Sequence, residues 1–322
     1  MIEALRFSSL KTRLSPVNYG PIGLEFSQGK LNMMQLATPG VSDQCRIQAL
    51  SSSPYPCAPR SDLSSRDLFL ASPQALTTIV KQVLNTQPFK GRKVATVLPS
   101  DWLRTFSLRF QLPPGQGEDE AIRALLSERL QENLADLVID YVPTRHTDTS
   151  NDRRVVAAVA RREDVINYLE LLRKSGLEVD SLEIGQVAIR RLITTLNSNR
   201  ENHNSLVINF GNERSYITMI SGRRLLFDHS IDTGEEKLLS RLTDELEIDK
   251  AQLKQLMLSG EESPAGNTTE QEQVRKLAFN ILLPDLKKLD EEIRRTLVFA
   301  ASELRGSDIT CIYLLGSLAR WQ

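Results

Sequence analysis

The sequence predicts an α/β protein of two lobes, with a smaller α+β unit inserted near the end of the first lobe. Its 322 residues exceed what one ordinary domain needs. Each half contains a β-hairpin whose turn carries a glycine, Gly29 in the first half and Gly222 in the second. A late apolar strand at 310–315 runs directly into Gly316. These observations favour two similar halves, each built on its own sheet.

The first lobe opens with strand-like runs at 22–26 and 31–37, which the polar turn Ser27-Gln28-Gly29-Lys30 joins into a hairpin. Residues 51–65 are rich in Ser and Pro and predict a loop. Apolar residues at helical spacing predict a helix over 73–84, and a buried strand follows over 93–98.

The inserted unit combines strands with two helices. A strand is expected over 105–111, and a helix follows over 118–134 with three acidic residues in its first turn, where they complement the helix dipole. Strands at 137–142 and 154–160 are joined by a polar loop at 145–152. A second helix, over 163–175, ends at Gly176.

The second lobe begins with three strands, expected over 206–210, 216–220 and 224–229. Thr233 and Glu236 have the spacing of a capping box, which predicts the start of a helix. Residues 260–269 predict a loop. Leucines and other apolar residues recurring every three or four positions from Leu282 to Leu304 predict a long last helix.

Composition restricts the function. Lys and Arg total 40 against 41 for Asp and Glu, so no basic excess points to nucleic acid. The three cysteines are widely spaced, which argues against a disulfide framework or a zinc site and favours a reducing compartment. Residues 1–16 are either a short amphipathic segment that touches a membrane surface or a polar leader. The isolated histidines indicate no catalytic residues and no metal site.

Glycine-containing hairpins at the starts of two halves, followed by a late strand and Gly turn, are the arrangement that sugar kinases, heat-shock ATPases and actins place around ATP. A tight turn lets backbone N–H groups approach phosphates, while a strand-borne carboxylate organises Mg²⁺. The segment from Gly23 to Asn32 resembles the first phosphate loop of the FtsA and PilM proteins. Further segments resemble PilM elements in the same order: 97–100, 155–160, 175–177, 206–211, 227–234 and 291–299.

The resemblance to the PilM family of type IV pilus assembly proteins implies an actin-like ATPase fold of two RNase H-like lobes, carrying an inserted α+β subdomain of FtsA/PilM type and shortened at its C-terminus. The expected domains are a first lobe of residues 1–101 with 180–203, an inserted subdomain of 102–179, and a second lobe of 204–322 whose helical portion covers about 233–304.

The same resemblance makes ATP with Mg²⁺ the candidate cofactor. Its expected contacts are Glu25, Ser27, Gln28, Gly29, Lys30, Asn209, Gly211, Asn212 and Gly316. Several of these depart from the family pattern. Ser27 stands for a loop glycine, Asn32 for a lysine that would reach phosphate, and Asn209 for an aspartate. The glycines can equally serve turn geometry alone. The departures favour a partner-binding scaffold over an enzyme.

The resemblance further implies a protein at the cytoplasmic face of the bacterial inner membrane that binds the N-terminal tail of a PilN-type membrane protein and possesses a surface for self-association. Candidate tail-binding residues are Val97, Trp102, Phe106, Leu108 and Phe110, which can equally be core residues. Two alternatives remain open: an actin-like ATP-binding protein or ATPase, and the cytoplasmic L-type component of type II secretion.

Overall fold

The structure, a computed structural model, describes residues 17–27, 30–39, 45–54, 73–99, 102–113, 115–146, 152–197, 203–258, 269–304 and 307–321. The chain forms two compact units, one of Met1–Val97 with Asn167–Leu182 and one of Leu98–Ile166 with Glu183–Gln322. The domain boundaries expected from the sequence remain a prediction.

The strands in chain order are β1 (Val17–Ser27), β2 (Lys30–Pro39), β3 (Arg46–Pro54), β4 (Lys93–Val97), β5 (Arg104–Gln111), β6 (Leu137–His146), β7 (Asp152–Arg161), β8 (Glu178–Glu183), β9 (Asn204–Phe210), β10 (Ser215–Ser221), β11 (Arg224–Ile231) and β12 (Cys311–Gly316).

The α-helices are α1 (Pro73–Thr86), α2 (Glu118–Leu130), α3 (Arg162–Lys174), α4 (Gly185–Leu196), α5 (Glu235–Leu246), α6 (Lys250–Leu258) and α7 (Thr269–Glu303). None of the helices within the described ranges is long and apolar enough to cross a bilayer.

The first unit is built on a five-stranded sheet of order β3-β2-β1-β4-β8. β1 pairs antiparallel with β2 and parallel with β4. Alternate residues of β1, among them Ile22, Leu24 and Phe26, point into the core because side chains alternate across a strand. Tyr168 of α3 is fully buried, and its hydroxyl shares a hydrogen bond with that of Thr96 on β4.

The second unit contains a four-stranded sheet of order β11-β10-β9-β12, in which β9 and β12 are parallel. The first four strands of the first unit's sheet have this same order, so the two sheets share one topology. Helix α7 covers one face through Leu289, Ala300 and Leu304. Helix α4 covers the other face through Ile193.

A three-stranded sheet of order β5-β7-β6 completes the second unit. Helix α2 packs on it and buries Ile122 and Leu126 against Val155 and Val159 of β7. This sheet and α2 lie within residues 102–179, the inserted unit that the sequence predicts, whereas most of the second helix of that segment, α3, belongs to the first compact unit.

At the edge of the four-stranded sheet, β12 has a half-exposed face. Ile312 and Leu314 are 53% and 54% exposed. Within the described part of the chain, no strand pairs with the outer side of β12.

Most predicted elements are confirmed, including both hairpins, the strands of the inserted unit and the long last helix. Five expectations need correction. Residues 51–54 belong to β3 rather than a loop, and residues 145–146 and 152, expected in a loop, belong to β6 and β7. The helix expected to reach 134 ends at Leu130, the last helix begins at Thr269 rather than Leu282, and Gly234 rather than Thr233 caps α5. Gln131 has a left-handed backbone (φ 50°), which stops α2. The N-terminal segment 1–16, residues 55–65 of the loop expected at 51–65, and residues 260–268 of the loop expected at 260–269 lie outside the described residues.

Candidate functional site

The first candidate loop is the hairpin of β1 and β2. Glu25 lies on β1 opposite Asn32 of β2. The residue is exposed, but the protein atoms around its carboxyl group desolvate it and raise its pKa above the ordinary value, an effect that a hydrogen bond from Ser27 reduces. Lys30 is exposed at the start of β2. Gln28 and Gly29 lie outside the described residues.

Asn32 has a structural role in this hairpin. Its Nδ2 donates to Ser27 Oγ at 3.1 Å, and its Oδ1 accepts from Ser52 Oγ at 2.7 Å. The amide therefore links three neighbouring strands. Asn32, at the position where the resemblance to PilM leads us to expect a phosphate-reaching lysine, stabilises the sheet here.

The second candidate loop follows β9. Asn209 is half-buried near the end of that strand, and its amide cannot supply the negative charge that Mg²⁺ prefers. The N–H groups of Glu235 and Glu236 donate to the carbonyls of Gly211 and Asn212 at 3.0 and 2.8 Å. The donors that a helix start normally offers to an anion are thus engaged by the protein's own backbone.

Close backbone packing explains the glycines of the second unit. A Cβ atom at Gly211 would overlap the carbonyl oxygen of Arg214, and one at Gly234 would overlap that of Asn212. Gly316 has a left-handed backbone (φ 91°) and presses against the carbonyl of Phe210. The space beside these residues is filled by main chain.

These observations test the fit of ATP to the second unit. Because β9 and β12 are parallel neighbours, Asn209, Gly211, Asn212 and Gly316 lie at one end of the sheet, as the nucleotide interpretation requires. Their backbone surroundings, however, do not fit a phosphate group. Glu25, Ser27 and Lys30 belong to the first unit, and a nucleotide role for all these residues remains a prediction.

The candidate partner residues fall into two environments. Leu108 and Phe110 are buried in the core of the three-stranded sheet, and Phe106 packs against that core. Trp102 is also buried, whereas Val97 is half-buried at the end of β4. This burial agrees with the interpretation of the aromatic residues as core residues. Their role in binding a partner remains a prediction.

A polar cluster around Asp228 of β11 was not anticipated. Its carboxylate accepts hydrogen bonds from Thr218 at 2.7 Å, Gln186 at 3.0 Å and Thr105 at 3.4 Å. Burial raises the pKa of this carboxyl group to about 6, and the three hydrogen bonds limit the rise. Asp228 thereby joins strands of both sheets of the second unit to helix α4.

A buried ion pair was also missed. The side chain of Glu235 is fully buried at the start of α5, and Lys254 Nζ of α6 lies 2.7 Å from its Oε2. No sequence signal marks this pair, because its partners meet only when the two helices pack. Among the described residues, no group of three or more His, Cys, Asp or Glu side chains could hold a metal ion.

No family model matches the sequence, and no curated protein matches it. Among solved structures, a chain of the PilM-PilN type IV pilus biogenesis complex is similar with a TM-score of 0.67 at 19% identity, over 94% of this chain and 89% of that chain.

Two further solved structures are more distantly similar. The ethanolamine utilization protein EutJ from Carboxydothermus hydrogenoformans has a TM-score of 0.49 at 12% identity, over 94% and 78% of the two chains. The cytoplasmic domain of EpsL, an inner membrane component of the Vibrio cholerae type II secretion system, has a TM-score of 0.41 at 13% identity, over 67% and 71%. Both TM-scores lie below 0.5.

The shared fold spans nearly the whole of both chains in the first comparison. The chain has the actin-like α/β fold that the sequence predicts, and the resemblance to PilM is confirmed at the level of fold.

Proposed function

We propose that this protein is a scaffold of type IV pilus assembly, or of a related machine, that binds the N-terminal cytoplasmic tail of a PilN-type inner-membrane protein. The observation that carries the proposal is the agreement in fold over 94% of this chain with a chain of the PilM-PilN complex. A tail held in this way would place the protein at the cytoplasmic face of the inner membrane.

The geometry of the second unit favours a scaffold over an ATPase. The two N–H groups at the start of α5 already donate to loop carbonyls, and an uncharged Asn209 stands where Mg²⁺ would need a carboxylate. Phosphoryl transfer depends on positioned donors and on a metal held by carboxylates. Neither requirement is met by these residues.

A tail peptide tests the proposal directly. We expect a synthetic peptide of extended apolar and proline residues, patterned on a PilN-type tail, to raise the melting temperature, whereas a scrambled peptide should not. A ligand at about 100 times its Kd stabilises the folded state by about 2.7 kcal/mol. The melting temperature is also measured in a parallel titration with Mg-ATP. Stabilisation by Mg-ATP alone, lost in Glu25→Ala, would overturn the scaffold and favour an ATPase.

Two substitutions in β4 give the test a matched control. Ala95 and Val97 are both half-buried and lie on the same face of the strand. Val97→Ser should weaken peptide binding about tenfold because it removes apolar contact worth about 1 kcal/mol or more. Ala95→Ser introduces the same hydroxyl and should leave the Kd unchanged. Equal Kd values for the two variants would place the tail elsewhere.

A further inference from the structure

A cavity of about 520 Å³ opens within the second unit, between the end of the three-stranded sheet, strand β11 and helix α7. This volume lies in the range of functional ligand pockets. None of the described residues that the sequence leads us to expect at a nucleotide lines it. Of the residues expected to contact a partner, only the core residue Leu108 does.

An aromatic pair forms an apolar wall of the cavity. The rings of Phe227 on β11 and Phe299 on α7 meet edge to face, with centroids 5.2 Å apart. Phe299 is nevertheless 50% exposed. A partly exposed aromatic ring inside a concave site is the kind of anchor that contributes most to binding an apolar side chain.

The charged side chains that line the cavity are three arginines and two carboxylates, beside His229. Arg109, Arg154 and Arg295 line it, and Glu292 is the lining carboxylate besides Asp228. The Asp228 carboxylate is occupied by the hydroxyl of Thr218 and the amide of Gln186. The cavity therefore suits a ligand that carries negative charge.

Two of the three arginines are exposed and form ion pairs at the protein surface. Arg295 lies 2.7 Å from Glu292, and Arg109 lies 3.1 Å from Asp152. Arg295 and Arg109 are 73% and 67% exposed. Exposed pairs of this kind contribute about 0 to 1 kcal/mol, so a carboxylate of a ligand can replace or join them at little cost.

The main chain indicates what kind of ligand fits. Within the described residues, β11 is an edge strand of its sheet. The carbonyl of Asp228 accepts a hydrogen bond from Ser107 Oγ at 3.3 Å, so at this residue the main chain of β11 is engaged by β5. Edge strands of this type pair with extended peptides.

We propose that this cavity binds an extended peptide segment of a partner protein in which a large apolar side chain is flanked by acidic residues. The apolar side chain packs against Phe227 and Phe299, and the acidic residues pair with the arginines at the rim. This surface shares only the core residue Leu108 with the residues expected to bind an apolar and proline-containing tail, and it does not depend on that function.

Fluorescence anisotropy with defined peptides tests the proposal. The probe is a labelled peptide with one phenylalanine flanked on each side by glutamates. One companion peptide replaces the glutamates by lysines, and another replaces the phenylalanine by alanine. The probe should bind, and each companion should bind at least about tenfold more weakly, because charge and apolar anchor both contribute.

Helix α7 offers neighbouring control residues. Arg294 and Arg295 are equally exposed, but only Arg295 lines the cavity, and Arg294 pairs with Asp290. Arg295→Glu should weaken probe binding at least about tenfold, and Arg294→Glu less than about twofold. Phe299→Ala should also weaken probe binding at least about tenfold, and Val298→Ala less than about twofold. Circular dichroism confirms that each variant is folded.

The proposal fails if the wild-type protein does not bind the probe at millimolar concentration. It also fails if the lysine peptide binds equally well, or if Arg295→Glu and Arg294→Glu cannot be distinguished. Equal binding of polyglutamate or of anionic phospholipid vesicles would show that charge alone is recognised and would likewise overturn it.

Discussion

At the scale of single residues, Asp228 couples stability to pH. Its pKa of about 6 in the folded protein lies above the value near 3.9 of an unfolded chain. The folded state therefore holds this proton more tightly. The resulting stabilisation is fully present below about pH 4 and is lost as the pH rises through 6, with a total change of about 3 kcal/mol.

Replacing Asp228 by asparagine should remove this dependence. An amide keeps the shape of the side chain and can still accept from Thr218. Gln186 Nε2 faces this position in the wild type, so the amide can donate to Gln186 Oε1 once the Gln186 side-chain amide has turned over. We subtract the free energy of unfolding of the wild type from that of Asp228→Asn. This difference should be about 2 kcal/mol higher at pH 7.5 than at pH 4.5, because only the wild type loses stability over this range.

Urea denaturation of both proteins at the two pH values measures this difference. Because other carboxyl groups titrate in both proteins, only the difference between them reports on Asp228. An identical difference at pH 4.5 and pH 7.5 would contradict a buried carboxyl group with a raised pKa.

The sequence gives no indication of Asp228 because burial of its carboxyl group depends on distant residues. Gln186 is 42 positions away and Thr105 is 123 positions away. Glu25 and Gly316 are candidates because a local pattern surrounds each of them, and their nucleotide role remains a prediction. Sequence reasoning proposes sites that one segment builds and misses those that several segments share.

At the scale of elements, the start of α5 was predicted correctly, but the capping box on which the prediction rested does not form. The helix forms where expected, but Thr233 provides no side-chain cap and its carbonyl instead accepts a hydrogen bond from Ser215 Oγ. Gly234 caps the helix because only a residue without Cβ fits against the carbonyl of Asn212. Capping-box spacing is visible in a sequence, whereas this close approach of two backbones is not.

Gly234→Ala and Thr233→Val should therefore have unequal effects. The added methyl group forces the loop after β9 to move, which should lower the free energy of unfolding by about 1–3 kcal/mol. Thr233→Val keeps the shape of the side chain and should change it by less than about 0.5 kcal/mol. Chemical denaturation measures both values. A loss of about 1 kcal/mol in Thr233→Val would instead support the capping box.

Strand β3 was missed for a different physical reason. The second half of β3 reads Ser51-Ser52-Ser53-Pro54, which has low strand propensity, but pairing with β2 holds it in the sheet. Tertiary pairing overrides local preference at such an edge strand. Strongly periodic segments such as α7 need no such help, and the sequence predicts them well.

At the scale of the whole molecule, the two proposed peptides should stabilise the protein additively. They contact different residues, Val97 on β4 for the tail and Arg295 with Phe299 on α7 for the acidic peptide. Each at about 100 times its Kd should raise the free energy of unfolding by about 2.7 kcal/mol, and both together by about 5.4 kcal/mol. Denaturation with each peptide and with both measures this sum.

Displacement of one peptide by the other would contradict separate sites. Its control is Arg295→Glu, in which the tail peptide should stabilise the protein as it does in wild type and the acidic peptide should not.

The two-sheet topology could be predicted from the sequence because glycine turns and apolar strands recur in both halves. The cavity could not, because its walls come from two different sheets and a helix.

Strand β12 has a consequence for solubility. Its sequence, Cys311-Ile-Tyr-Leu-Leu-Gly316, contains no charged residue, and Ile312 and Leu314 are half-exposed beside an edge that no described strand covers. Natural sheets usually place a lysine or proline at such edges to prevent misassembly between molecules. Concentrated protein should consequently aggregate through β12 first, and a lysine introduced at position 312 would act as the missing gatekeeper.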